Sequence, residues 1–444
     1  PKRRQAMSEA LNIQSSSTTA SIVSKITKRL LPFLLLMYVL AFLDRANVGF
    51  AKKAFQADTG ISDAIFAFGA SIFFIGYSLF EVPSNLLMHR VGAKLWMCRI
   101  MVTWGILSAA MMYANDETTF YLLRFLLGIA EAGFFPGVIL YLTYWFPTPS
   151  RAKAMGLFYF GAPLAFIFGS PLSGLLLELN GVANLKGWQW MFLVEGVLAS
   201  IVGVWAFFYL DNRPQNASWL SREEQDQIET IIKAENAIKE SHGPHSFMAS
   251  LTNTKVLYLA LIYFIIQCSV YGLVFYLPTQ VASLLGKNVG FEVGLVTAIP
   301  WVIALIAAYL IPLYSDRTGE RRLVAAATMS MAGIGMAISV SVSSPLVALI
   351  GLCFAAAGFI AVQPIFWTFP TAYLSGAAAA GGIALVNALG ALGGFLAPNV
   401  KNWAEVFFNS KAAGLYLLTG TTFIGVLLIL MISALGLRGQ VEQS

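Results

Sequence analysis

Residues 211–250 read DNRPQNASWLSREEQDQIETIIKAENAIKESHGPHSFMAS, a polar and charged run in a chain that is otherwise apolar. Ser221 and Glu224 have capping-box spacing, so a polar helix opens there with Ile228, Ile231 and Ile232 on one side. On both sides of this run, apolar stretches recur at about the 20 residues that a helix needs to cross a bilayer. Six precede it, at about 30–51, 62–88, 95–114, 118–145, 152–176 and 188–210. Six follow, at about 254–282, 291–313, 323–342, 345–370, 378–400 and 412–436. Residues 211–253 are therefore expected to be a water-facing linker between two sets of six spans. The expected fold is an all-α polytopic membrane protein with 12 transmembrane helices in two six-helix bundles, 30–210 and 254–436. An N-terminal arm (1–29) and a tail (437–444) complete it.

Composition agrees. Of 444 residues, 58% are apolar and 11% charged, with a mean hydropathy of +0.72. A soluble domain carries about 25% charged residues, so a soluble enzyme, a disordered scaffold and a secreted domain are excluded. Cys98, Cys268 and Cys353 lie in apolar runs without a CxxC, which gives neither a disulfide framework nor a thiolate metal site. No phosphate-cradling GxxxxGK[ST] is present, and no cofactor is expected. With the N-terminus inside, cytoplasmic segments carry 20 Lys and Arg and outer loops carry six. That bias puts both termini in the cytoplasm and explains the pI near 9.1 without nucleic acid. Residues 1–29 lack an apolar core and read as an arm rather than a signal peptide.

The loop after span 8, PLYSDRTGERR (312–322), echoes the loop after span 2, NLLMHRVGAKL (85–95). Each places a basic residue, a turn-permitting Gly and further cations that can face helix C-termini and anionic headgroups. The G/P-x-x-x-D-R-x-G-R-R pattern resembles the loop signature of the major facilitator superfamily. It is intact at Asp316, Arg317, Gly319 and Arg321, whereas His89 stands where Asp is usual in the first copy. FLDRANVGFA (42–51), RFLLGIAEAGFFPG (124–137), FWTFPT (366–371) and NALGALGGFLAP (387–398) resemble the anion:cation symporter family within it, most of all bacterial sugar-acid permeases of the L-rhamnonate type. Span 5 carries GAPLAFIFGSPLSG (161–174), close-packing positions that let helices approach and rock. The resemblance implies alternating access and a cytoplasmic gate formed by Asp316, Arg317, Gly319 and Arg321.

An ionisable side chain inside a span costs at least about 2.5–3.5 kcal/mol. Six are expected there: Asp44, Arg45, Glu81, Arg124, Glu131 and Glu195, all in the first half. At 1.5 Å per residue, Asp44, Arg45 and Arg124 lie roughly 10 Å below the outer surface, with Glu131 about 10 Å deeper. Spans 1 and 4 as neighbours would let Asp44 meet Arg124. No histidine lies in a span, so Asp44 and Glu131 are the expected proton carriers, with Arg45 and Arg124 as anion-binding and coupling groups. The resemblance implies the same roles for these four positions; a static ion network that only fixes helix packing is the alternative. Glu81 and Glu195 are expected to be structural anchors.

Tyr77, Gln267, Tyr271, Gln363, Trp367 and Asn387 are candidate pocket groups near mid-span, offering amides, phenols and an aromatic face to a polyhydroxylated acid. The resemblance makes Asn387 a substrate-contacting position. Span 5 offers Ala162, Pro163 and Phe166 where some sugar-acid relatives use glutamine, which suits a deoxy or less polar acid. The expected protein is a proton-coupled importer of a small organic anion such as L-rhamnonate, a multi-pass monomer of the inner membrane. Its partners are protons, the anion and the lipid bilayer, without nucleic acid. An aromatic-acid or tartrate-like dicarboxylate permease, an anion antiporter and a transporter-like sensor remain alternatives.

Overall fold

The computed structural model describes residues 2–240, 252–373 and 376–435. Sixteen α-helices occur among the described residues. Those of the first half are α1 (Lys2–Thr59), α2 (Asp63–Val91), α3 (Ala93–Ala110), α4 (Glu117–Glu131), α5 (Phe134–Trp145), α6 (Thr148–Tyr159), α7 (Gly161–Leu177) and α8 (Gly187–Tyr209). After the linker helix α9 (Arg222–Glu240) come α10 (Thr254–Val274), α11 (Leu277–Leu285), α12 (Phe291–Thr318), α13 (Arg321–Ser341), α14 (Pro345–Tyr373), α15 (Gly376–Phe407) and α16 (Ala413–Leu430). Among the described residues, eleven helical stretches are long and apolar enough to cross a membrane. The remaining expected span, 378–400, is helical within α15.

Three expected spans are broken helices. The span at 118–145 divides into α4 and α5, because Gly133 takes a left-handed φ of +87°. Pro136 in the first turn of α5 has no N–H to leave unsatisfied there. Arg99 of α3 answers the exposed end of α4, donating from Nη1 to the Ala130 carbonyl at 3.4 Å. Arg99, expected among loop cations, is therefore a further charge inside a helix, stacked on Trp96 at 4.0 Å. The spans at 152–176 and 254–282 break at Phe160 and at Phe275–Tyr276, with Pro163 and Pro278 opening the helices that follow.

The helices form two six-helix bundles. In the first, α3 packs on α8 and α2 on α4; in the second, α10 packs on α15 and α13 on α14. The bundles meet along α2 with α15 and α7 with α12. Small residues set the second seam: a Cβ on Gly174 would lie 2.2 Å from the Gly290 carbonyl oxygen, and one on Gly294 would lie 2.4 Å from that of Ser170. Glu178 crosses the same seam to accept the Phe291 N–H at 2.7 Å, capping α12 from the other bundle. These contacts shut the seam at the end away from the linker.

At the linker end, Ser221 N–H donates to Glu224 (2.8 Å) and Glu224 N–H to Ser221 (3.2 Å), the capping box read from the sequence. Ile228 and Ile232 are buried, as an amphipathic helix requires. Glu224 also holds Lys25 of α1 at 3.0 Å, fastening the arm to the linker. Gly92 and Gly319 make the two repeated turns with φ of +99° and +72°. Arg322 donates to the Leu430 carbonyl (3.0 Å) and Ser433 Oγ (2.7 Å), so a cation of this loop does cap a helix C-terminus. Of the expected gate residues, Arg317 is exposed, Gly319 ends α12 and Arg321 starts α13. The Asp316 side chain lies outside the described residues.

Candidate functional site

Between the bundles lies a cavity of about 410 Å³, within the usual size for a small-molecule site. Arg45, Tyr77, Gln267, Tyr271, Gln363 and Asn387 all reach its wall. Trp367 does not: it stands behind Tyr263, with ring centroids 4.9 Å apart. Sequence reasoning missed Tyr38, Tyr159 and Tyr263, which add three phenols to the wall. Ala162 and Phe166 supply apolar wall from span 5, Phe166 resting on Trp301 with centroids 4.2 Å apart. The lining runs through Leu157 and Tyr159 to Tyr309 and Leu313, toward the linker end.

Among the described residues, Arg45 is the only charged side chain on that wall. A guanidinium presents five donors in a fixed fork and can serve several partners. Arg45 Nε donates to Glu131 Oε1 at 2.7 Å, and Nη2 pairs with the same oxygen. Nη1 donates to the Tyr271 hydroxyl, 3.2 Å away on the second bundle. The rings of Phe42 and Tyr77 lie under the cation at 4.9 and 5.1 Å. Glu131 is wholly buried behind Arg45, at the broken end of α4, and its Oε2 has no hydrogen-bond partner. It thus touches the cavity only through the arginine.

The expected meeting of Asp44 with Arg124 gives way to different partners. Arg124 Nη2 donates to the Ala70 carbonyl at 2.7 Å, and its guanidinium lies 5.1 Å from the Phe73 ring. Asp44 Oδ1 accepts from Ser108 and, at 3.3 Å, from Asn47. Each side chain faces a different helix: Asp44 turns to α3 and Arg124 to α2. Both lie off the cavity wall.

Asn387 does more than line the cavity. Its Nδ2 donates to Glu81 Oε1 at 2.6 Å, while Ser78 Oγ donates to the Ala388 carbonyl at 3.2 Å. Glu81 therefore holds the second bundle to the first beside the site. Gln267 donates to the Tyr263 hydroxyl at 3.1 Å and leaves its buried Oε1 without a partner. Gln363 is turned onto its own helix, donating to the Phe359 carbonyl at 3.1 Å. The cavity therefore offers one cation, amide oxygens and a set of phenols among apolar rings. That arrangement can bind and orient a polar anion.

The sequence model described as Major Facilitator Superfamily matches residues 34–398. The chain is 52% identical over 416 residues to the inner membrane transport protein RhmT of Escherichia coli (strain K12), covering 94% of this chain and 96% of the relative. It is 43% identical over 421 residues to a putative tartrate transporter of Agrobacterium vitis, covering 95% and 93%. Among solved structures, the partially occluded inward open xylose transporter XylE from E. coli superposes with a TM-score of 0.70 at 17% identity, covering 92% of this chain and 98% of that one. A bacterial homologue of the human lysosomal transporter Spinster, inward-facing and unoccupied, gives 0.68 at 17% identity, covering 94% and 96%.

Proposed function

The chain belongs to the Major Facilitator Superfamily, and we propose that it imports a monocarboxylate sugar acid of the L-rhamnonate type together with protons. It is a multi-pass membrane transport protein and not an enzyme. The observation that carries the proposed cargo is Arg45, the single guanidinium on the cavity wall among the described residues. One cation suits one carboxylate, and a second carboxylate in the same cavity would face no countercharge. The amides and phenols replace water around hydroxyl groups, while Phe160, Phe166 and Ala162 suit a deoxy carbon.

Coupling follows from the same pair. A substrate carboxylate that draws the Arg45 fork toward the cavity loosens its hold on Glu131. The buried Glu131 then has less countercharge and takes a proton, so anion and proton enter together. Asp44 and Arg124 make up the second carboxylate–guanidinium set of this machinery. Both termini are assigned to the cytoplasm of an inner membrane on the 20-to-6 distribution of Lys and Arg. In that orientation the lining toward Leu157 and Tyr309 leads to the cell interior. The loop at Asp316, Arg317, Gly319 and Arg321 is assigned to the gate on that side, and the protein works as a monomer.

Proteoliposomes test the reading. Labelled L-rhamnonate uptake should rise under an inward proton gradient, with alkalinisation of the outside medium. Uptake indifferent to the gradient but stimulated by internal anion would establish exchange instead. Faster uptake of tartrate than of L-rhamnonate would reassign the cargo to a dicarboxylate, the class named for the Agrobacterium relative.

A further inference from the structure

We propose that Asp44, Asn47 and Glu195 form a second proton site inside the first bundle, apart from the cavity, in which Glu195 holds a proton in this conformation. This rests on the proton coupling proposed above and extends it to a residue that sequence reasoning set aside as an anchor. All three side chains are at least 97% buried, with Asp44 and Glu195 3% exposed and Asn47 fully enclosed. They come from α1 and α8, and none lines the cavity.

The hydrogen bonding of the cluster is short of a donor. Ser108 of α3 and Asn47 Nδ2 donate to Asp44 Oδ1, and Ser173 of α7 donates to Glu195 Oε1 at 2.8 Å. Gly196, next to Glu195 on α8, packs against the backbone of Gly105 and Ala109 on α3, either side of Ser108, which brings Glu195 up to the Asp44 cluster. Three buried acceptors are left without partners: Asp44 Oδ2, Asn47 Oδ1 and Glu195 Oε2. A carboxyl O–H on Glu195 turns one of these acceptors into the missing donor.

Charge counting leaves two acids over: Glu81, which the Asn387 amide serves, and Glu195. Four buried acids, Asp44, Glu81, Glu131 and Glu195, share the interior with two buried guanidinium groups, Arg45 and Arg124. Arg45 is engaged by Glu131. Arg124 and, after it, Arg45 are the positive charges that act on Asp44. Among the described residues, Glu195 accepts from Ser173, feels the negative charge of Asp44 and is in no ion pair. An unpaired carboxylate in a dry interior neutralises itself by taking a proton. Gain or loss of that proton changes the charge on the Asp44 side of Arg124, while the Arg45 fork keeps its own partners, Glu131 and Tyr271.

Infrared spectroscopy of the full chain in lipid nanodiscs reads this without any cargo, because a carboxylic acid has a carbonyl stretch that a carboxylate lacks. Glu195→Gln should remove one such band from the parent spectrum; a spectrum that keeps every acid band overturns the proposal. Should that variant fail to fold, Ser173→Ala removes the hydroxyl donor and must shift the same band. An unshifted band is equally fatal. In proteoliposomes, Glu195→Gln should carry one fewer proton per L-rhamnonate with unchanged L-rhamnonate affinity, and an unchanged ratio overturns the coupling role. If the parent itself moves no protons with L-rhamnonate, the failure belongs to the coupling mechanism, and the infrared band still decides whether Glu195 is protonated.

Discussion

Arg45 can hold Glu131 with one edge and Tyr271 with the other because its fork is planar and rigid. In the proposed coupling, Glu131 has a role that a glutamine cannot fill. Glu131→Gln keeps a hydrogen-bond acceptor for Arg45 but cannot take a proton. The proton that Glu131 carries should be lost, so uptake of L-rhamnonate under an inward proton gradient falls well below the parent rate, while counterflow exchange of labelled for unlabelled L-rhamnonate persists. Proton-driven uptake at the parent rate would remove Glu131 from the coupling machinery. At this scale the sequence was legible where chemistry is costly: a charge in a span announces itself, and Asp44, Arg45, Arg124 and Glu131 all proved to be buried. Their pairing was not legible, since helical position gives depth but not the rotation that turns Arg45 to Glu131 and Arg124 to Ala70. The phenols of Tyr38, Tyr159 and Tyr263 escaped notice because a tyrosine in a span packs or anchors as readily as it binds.

Among the elements, hydropathy showed where helices run but not where they break. The apolar stretch around Gly133 is continuous, so the left-handed turn that ends α4 at Glu131 left only a glycine and a proline as signs. Polar elements were easier to read, as the Ser221–Glu224 box shows. That box carries a pH dependence. The Ser221 N–H, and after it Lys25, hold the Glu224 carboxyl below its ordinary value. A group lowered on folding stabilises above its unfolded value, about 4.3 for Glu, and that contribution is lost as pH falls through the lower folded value. Protection of α9 and of the facing turns of α1 against hydrogen exchange, taken relative to the intrinsic rate, should be high at pH 7 and fall below about pH 4.3. Ser221→Ala should lower that protection roughly fivefold already at pH 7, for an N-cap contribution of about 1 kcal/mol. Exchange that ignores both pH and substitution would show that the box does not fasten the arm.

For the whole molecule, the 12 spans and two bundles followed from one polar run set among apolar ones, since apolar runs of that length cross a bilayer as helices whose backbone groups are satisfied within each span. What composition could not convey is how closely the bundles meet. Gly174, Gly294 and the Glu178 cap bring α7 and α12 into backbone contact, while Asn387 and Glu81 tie α15 to α2. The asymmetry of four buried acids against two buried guanidinium groups, all in the first bundle, has an electrical consequence. A cycle that brings in one monoanion with a proton at Glu131 and another at the Asp44–Glu195 cluster moves one net positive charge inward. Such a carrier responds to membrane voltage as well as to pH: 100 mV, inside negative, contributes about 2.3 kcal/mol per cycle. At equal pH on both sides, a potassium–valinomycin potential of that size should concentrate L-rhamnonate about fiftyfold. One proton per anion would leave accumulation flat, so a voltmeter distinguishes one protonated site from two.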